Sequence, residues 1–179
     1  TFVEDGRNFL KSGDGHYDII FLDAFSGDTP PSHLVSIEAF ELARGKLTEG
    51  GTLIINFVSG NQPEDQLVPS SLYGTLKKVF QSVDIYVGQD FFASAPRVVN
   101  MIFVARDSQQ PVETGFVPAD AYPEFIDDLK GLYSRKVSFT PGPFVFTDDY
   151  NPIDFYDRDA RERFRTHIIS NTDREIITE

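Results

Sequence analysis

Ile19-Ile20-Phe21-Leu22 is an unbroken apolar run with polar residues on both sides. A run without alternation reads as a strand buried on both faces, as in parallel sheets covered by helices. Thr52 to Phe57 reads as a second such strand. Between them Ser36 is placed to cap a helix in which Ile37, Phe40, Ala43, Arg44 and Leu47 follow the helical period. Gly50-Gly51 reads as the stop of that helix. Upstream, Phe2-Val3 reads as the end of a strand, Glu4-Asp5-Gly6 as a turn and Arg7 to Lys11 as a short helix broken by Ser12-Gly13-Asp14-Gly15.

Downstream, a polar loop from Ser59 to Pro69 precedes a helix capped by Ser70, with Leu72, Leu76, Val79 and Phe80 as its apolar stripe. Val83 to Val87 and Asn100 to Ala105 read as two strands joined by a loop, an antiparallel edge pair. Later signals are sparser: a helix over Tyr122 to Tyr133, an extended Phe144-Val145-Phe146-Thr147 and a charged helix over Asp157 to Ile168. Strand, helix, strand, helix, strand, strand predicts α/β layering with right-handed crossovers. Residues 1–106 are expected to form the layered part and 107–179 a helical and extended appendage of the same domain.

Composition adds bounds rather than detail. Of 179 residues 40% are apolar and 25% charged, an ordinary globular mix. The net charge is -12, from 28 acidic and 16 basic residues. Such a surface repels phosphate backbones, so nucleic acid is not an expected partner, whereas amines or a sulfonium would be drawn in. The absence of cysteine excludes thiolate catalysis and Cys-based zinc sites. No apolar run reaches the ~20 residues a spanning helix needs. The expected location is the cytoplasm, with the soluble part of a membrane-anchored protein as the variant. The chain begins at Thr1 and its one methionine is Met101, so it is expected to be a piece of a longer protein.

In open parallel sheets ligands sit beyond the carboxyl ends of strands. That rule singles out Asp5, Asp23 and Asn56. Asp5 could accept a hydrogen bond from a purine amine, with Gly6 allowing close approach, or simply cap the following helix. Asp23 follows four apolar residues, and Asp28 comes five positions later across Ala24-Phe25-Ser26-Gly27. Two carboxylates in one cleft can hold an ammonium, and one can take its proton. The competing reading is a capping acid plus a solvated loop acid. Asp148-Asp149 could line an amine pocket or cap a turn before Pro152. His16, His33 and His167 are too scattered to suggest a zinc or triad site.

Glu4-Asp5-Gly6-Arg7-Asn8-Phe9-Leu10 followed by Tyr17-Asp18-Ile19-Ile20-Phe21-Leu22-Asp23-Ala24-Phe25-Ser26-Gly27-Asp28 resembles the spermidine synthase-like family. Pro31-Ser32-His33-Leu34, Glu38-Ala39-Phe40 and Leu47-Thr48-Glu49-Gly50-Gly51-Thr52-Leu53 continue in register. Phe146-Thr147-Asp148-Asp149-Tyr150-Asn151-Pro152-Ile153-Asp154 resembles a tail motif of its bacterial branch. The resemblance implies a Rossmann-like, S-adenosylmethionine methyltransferase fold with a mostly parallel sheet and an antiparallel edge pair. The Gly-rich loop and the ribose-binding acid of that family lie before Thr1, so the chain is expected to lack the N-terminal strands.

The resemblance further implies aminopropyl transfer from decarboxylated S-adenosylmethionine to a diamine, without a metal. Asp23 would activate the amine with Asp28 as companion, Asp5 and Gly6 would meet the nucleoside, and Asn56, Asp148 and Asp149 would line the amine side. Two alternatives remain at this stage. One is a methyltransferase using S-adenosylmethionine itself; the other is an inactive interaction domain of the same fold. The strand Ile19 to Leu22 would present an open apolar edge. A homo-oligomer, a further N-terminal segment or the C-terminal 40 residues are expected to cover it.

Overall fold

A computed structural model describes residues 3–24, 30–95, 97–110 and 122–171. Asp28 and its loop, Phe25 to Thr29, lie outside the described residues, as does Phe2. The elements run α1 (Gly6–Ser12), β1 (Tyr17–Leu22), α2 (Ile37–Gly45), β2 (Leu47–Gly60), α3 (Leu67–Val79), β3 (Ser82–Val87), β4 (Val98–Arg106), α4 (Pro123–Ser134), β5 (Lys136–Val137), α5 (Ile153–Tyr156) and α6 (Arg158–Asn171). Short 3-10 turns at Ser32–Leu34, Pro63–Gln66 and Gln89–Phe92 link them.

The strands form one sheet in the order β1-β2-β4-β3-β5. β1 and β2 are parallel, with Leu22 opposite Ile55, and the other three pairings are antiparallel. The parallel character of the expected sheet therefore rests on a single pairing among the described residues. β3 and β4 are antiparallel as the pattern predicts, but β4 sits inside the sheet between β2 and β3. The two-residue β5 covers the far side of β3.

One face of the sheet carries the core. Leu53, Ile55 and Phe57 of β2, Met101 and Phe103 of β4 and Ile85 of β3 are all buried. They pack in one cluster with Phe40 of α2 and Leu72 and Leu76 of α3. Each such side chain contributes about 1.5–3 kcal/mol by leaving water. Phe57 and Phe103 meet edge to face at 6.2 Å, a favoured aromatic geometry. Phe146 and Ile153 join the same cluster, which ties the C-terminal segment to the sheet. Ser36 caps α2 as predicted, its side chain accepting from the Ala39 amide.

Three predicted details differ, each for a local reason. α2 stops at Gly45, and Gly50-Gly51 lies inside β2. Gly50 has φ 77°, and the β1–β2 register jumps from Tyr17↔Leu47 to Ile19↔Thr52. A bulge and a helix stop both ask for a left-handed residue, so the pair is ambiguous in sequence. Ser70 does not cap α3: Gln62 and Asp65 form a capping box around the preceding turn. Ser70 therefore lies within the helix, donating to the Leu67 carbonyl at 3.1 Å. Residues 144–147 form no strand, but Phe146 is fixed at both ends of its peptide. Its amide donates to Thr75 Oγ1 at 3.0 Å and its carbonyl accepts from the Ile37 amide at 2.9 Å.

β1 lies at the sheet edge, where Ile19 and Phe21 are 60% and 56% exposed, so the strand expected to be buried on both faces has no buried residue: its apolar run lacks a neighbour on the open side among the described residues. The described part of the C-terminal segment does not fold over it, since α6 packs against β2 and β4. No helix among the described residues is long and apolar enough to cross a membrane.

Candidate functional site

Two clusters of polar side chains form near the carboxyl end of β1. The first is built on Asp23, the residue that follows β1. The parallel pairing sets Leu22 beside Ile55, and the next residue on each strand meets its counterpart through side chains. Asn56 Nδ2 donates to Asp23 Oδ1 at 2.9 Å. Asp23 is exposed, and Asn56 Oδ1 is buried without a hydrogen-bond partner among the described residues. The arrangement thus offers an open carboxylate held in place from the neighbouring strand. Its prospective companion, Asp28, falls outside the described residues.

The second cluster gathers around Asp5. This residue caps α1: Oδ1 accepts from the Arg7 and Asn8 amides, both at 3.0 Å. Its other oxygen lies 2.8 Å from His33 Nε2. The Asn8 amide bond first, then the His33 bond, holds the Asp5 carboxyl below the usual range. Gly6 begins the helix against the Leu34 side chain, where an added Cβ would sit 3.7 Å from either methyl.

Asp148 is bound into the same region. Arg7 forks onto both of its oxygens, Nη1 at 2.6 Å, and Ser36 Oγ donates to Oδ1 at 2.7 Å. The Arg7 bond, ahead of the Ser36 bond, keeps the Asp148 carboxyl low, while Asp148 raises the Arg7 guanidinium in turn. Asp148 donates its own amide to Glu38 Oε2 at 3.0 Å. Its side chain is occupied as a clasp between α1, the cap of α2 and the tail. Asp149 is exposed beside it.

An apolar pocket of ≈ 270 Å³ lies along β1 and α1, with Tyr17, Ile19 and Phe21 in its lining. Gly6, Leu22 and Leu34 are among its lining residues, with Phe9, Leu10 and Ile20. These first three are the chain neighbours of Asp5, Asp23 and His33. Apolar walls with a few polar groups at the margin are the usual make-up of a small-molecule site. His33 is the residue that sequence reasoning passed over. Its partner Asp5 is 28 positions away, and only the approach of the 3-10 turn to α1 joins them.

No protein-family model matches the chain. A protein described as a probable polyamine aminopropyl transferase, from Bifidobacterium longum (strain NCC 2705), is 29% identical over 104 residues. That match takes in 57% of this chain and 22% of the relative, so the chain spans about a fifth of the relative's length. The crystal structure of a probable spermidine synthase from Corynebacterium glutamicum ATCC 13032 aligns with a TM-score of 0.53 at 22% identity. The alignment covers 67% of this chain and 40% of that one. Over part of its length, then, the chain is similar to a probable polyamine aminopropyl transferase, and over two thirds of it the α/β fold resembles that of the probable spermidine synthase.

Proposed function

We propose that this chain carries the amine-handling part of a spermidine synthase-like aminopropyltransferase. Its reaction passes the aminopropyl group of decarboxylated S-adenosylmethionine to a diamine such as putrescine. The observation that carries the reading is Asp23, an exposed carboxylate at a strand end, steadied by Asn56 Nδ2 at 2.9 Å. The sequence similarity to a polyamine aminopropyl transferase supports it.

An alkylamine has a pKa of about 10.4, so near pH 7 its lone pair is masked by a proton. A carboxylate 4 Å from that ammonium attracts it by about 4 kcal/mol at an effective dielectric of 20, before desolvation. Asp23, with Asp28 as its companion, would hold the diamine. Asp23 would first take a proton from the ammonium, and the lone pair so freed would then form the bond to carbon. The C–S bond breaks in the same step, and the sulfonium leaves as the thioether of methylthioadenosine. The sulfonium is already a good leaving group, so alignment and a free lone pair are the main requirements, and no metal is called for. On the other side Asp5 would accept from the adenine amine above Gly6. Residues 1–106 would supply these strand ends, and 107–179 the tail whose Asp148 fastens the two.

The test is methylthioadenosine release from decarboxylated S-adenosylmethionine and putrescine, followed by chromatography. Asp23→Asn should lower kcat on the order of 10²-fold or more. An Asp23→Asn protein that turns over at the parent rate would refute the assignment of the base.

A further inference from the structure

The Asp5 carboxylate has little acceptor capacity left. An ionised carboxylate offers about four lone-pair positions. Three are taken: two by the Arg7 and Asn8 amides on Oδ1 and one by His33 Nε2 on Oδ2. A purine amine approaching Oδ2 must therefore share that oxygen with His33 or displace it. Unlike most exposed histidines, His33 is anchored at its backbone. Its carbonyl accepts from Arg7 Nη1 at 2.9 Å, and the preceding Ser32 carbonyl accepts from Asn151 Nδ2 at 2.8 Å. The following Leu34 is buried against Gly6. A ring that is about half exposed on a backbone fixed from three sides is placed to act on a ligand rather than to fill the core.

We infer that His33 is a specificity-determining residue for the nucleoside: its ring competes with the purine amine for Asp5 Oδ2 and makes nucleoside affinity depend on pH. The inference rests on the nucleoside reading of Asp5 given above. A neutral imidazole donates one bond from Nε2 and can yield it. A protonated imidazole holds the same oxygen with a charge-assisted bond and makes it a poorer acceptor for the amine. Of the other charged groups, Arg7 of α1 acts on Asp5 directly, Asp148 of the tail and Glu38 of α2 lie around Arg7, Lys11 of α1 acts on Asp148, and Glu4 bonds Asn8. Arg7 is committed to Asp148, and Glu4 accepts from Asn8 Nδ2, so neither competes for Oδ2.

The test is an NMR titration of the chain with methylthioadenosine at pH 5.5 and pH 8.0, for the parent, His33→Ala and His33→Gln. The parent should bind about two- to fivefold more weakly at pH 5.5, the range expected of an exposed ion pair. Both variants should show affinities that no longer change between the two pH values, with His33→Ala at least as tight as the parent at pH 8.0. A parent with equal affinity at both pH values, or an Ala variant that keeps the parent's dependence, overturns the inference and leaves the nucleoside reading standing. If no variant binds methylthioadenosine at either pH, the nucleoside reading falls and this inference with it.

Discussion

Asp157 gives the sharpest stability prediction. It sits between α5 and α6 with 2% of its side chain exposed. Burial pushes its carboxyl from 3.8 up to about 7, despite Arg161 Nε at 3.4 Å, and Asp65 and Asp154 add to the rise. A raised folded value means that the native protein holds this proton more tightly than the unfolded chain. Its contribution is fully present below about pH 4 and is lost as pH rises toward 7. About three pH units at about 1.4 kcal/mol each make the loss about 4 kcal/mol at pH 8. Asparagine has nearly the same shape and no charge to bury, so Asp157→Asn should escape this loss.

Thermal unfolding of both proteins at pH 5 and pH 8 isolates the effect, because other titrating groups cancel in the comparison. The advantage of the variant should grow by about 3 kcal/mol between the two pH values, or about 6–12 °C for a chain of this size. A difference in Tm that stays constant from pH 5 to pH 8 would refute the reasoning. So would a parent that is the more stable of the two at pH 8.

Two further outcomes concern the tail. Thr75→Val leaves the Phe146 amide buried without its acceptor, and should cost about 1–3 kcal/mol in urea unfolding. An unchanged midpoint would mean that the segment is held by packing alone. Gly142 approaches α3 so closely that an added Cβ would lie 2.6 Å from the Ser71 backbone nitrogen. Gly142→Ala should therefore destabilise by about 1–3 kcal/mol through forced backbone movement, and a neutral result in the same assay would show that this contact yields freely.

The parts of this molecule that were legible in sequence are those whose cause is local. The Ile19–Leu22 run announces a strand, and Ser36 announces the start of α2, because a short apolar run and a cap act within a few residues, while the exposure of β1 depends on what lies beside it in the sheet. Gly50-Gly51 was legible as a break but not as a bulge, since both need a left-handed backbone and only the partner strand decides between them. β5 was invisible: two residues leave no period, and its pairing with β3 depends on where α4 ends. In the site, Asp23 could be placed at a strand end from the pattern, whereas Asn56, read as the end of its strand, lies inside β2, which continues to Gly60 as its pairing with β4 runs on. The Asp5–His33 and Arg7–Asp148 pairs could not be anticipated. Asp148 in particular read equally well as a pocket acid or a turn cap, and its engagement by Arg7 and Ser36 depends on how the tail crosses the helices.

The Arg7–Asp148 clasp also sets a schedule for the chain as it is made. Its halves are 141 residues apart, and the Ser36 contact to the same carboxylate spans 112. At about 5–20 residues per second, α1 emerges roughly 7–30 s before its partner exists. During that interval Arg7 and the cap region of α2 must wait in solution without their acid. The segment around Asp148 therefore acts late, as a latch that closes over α1 and the cap of α2, and completion of this region waits on translation.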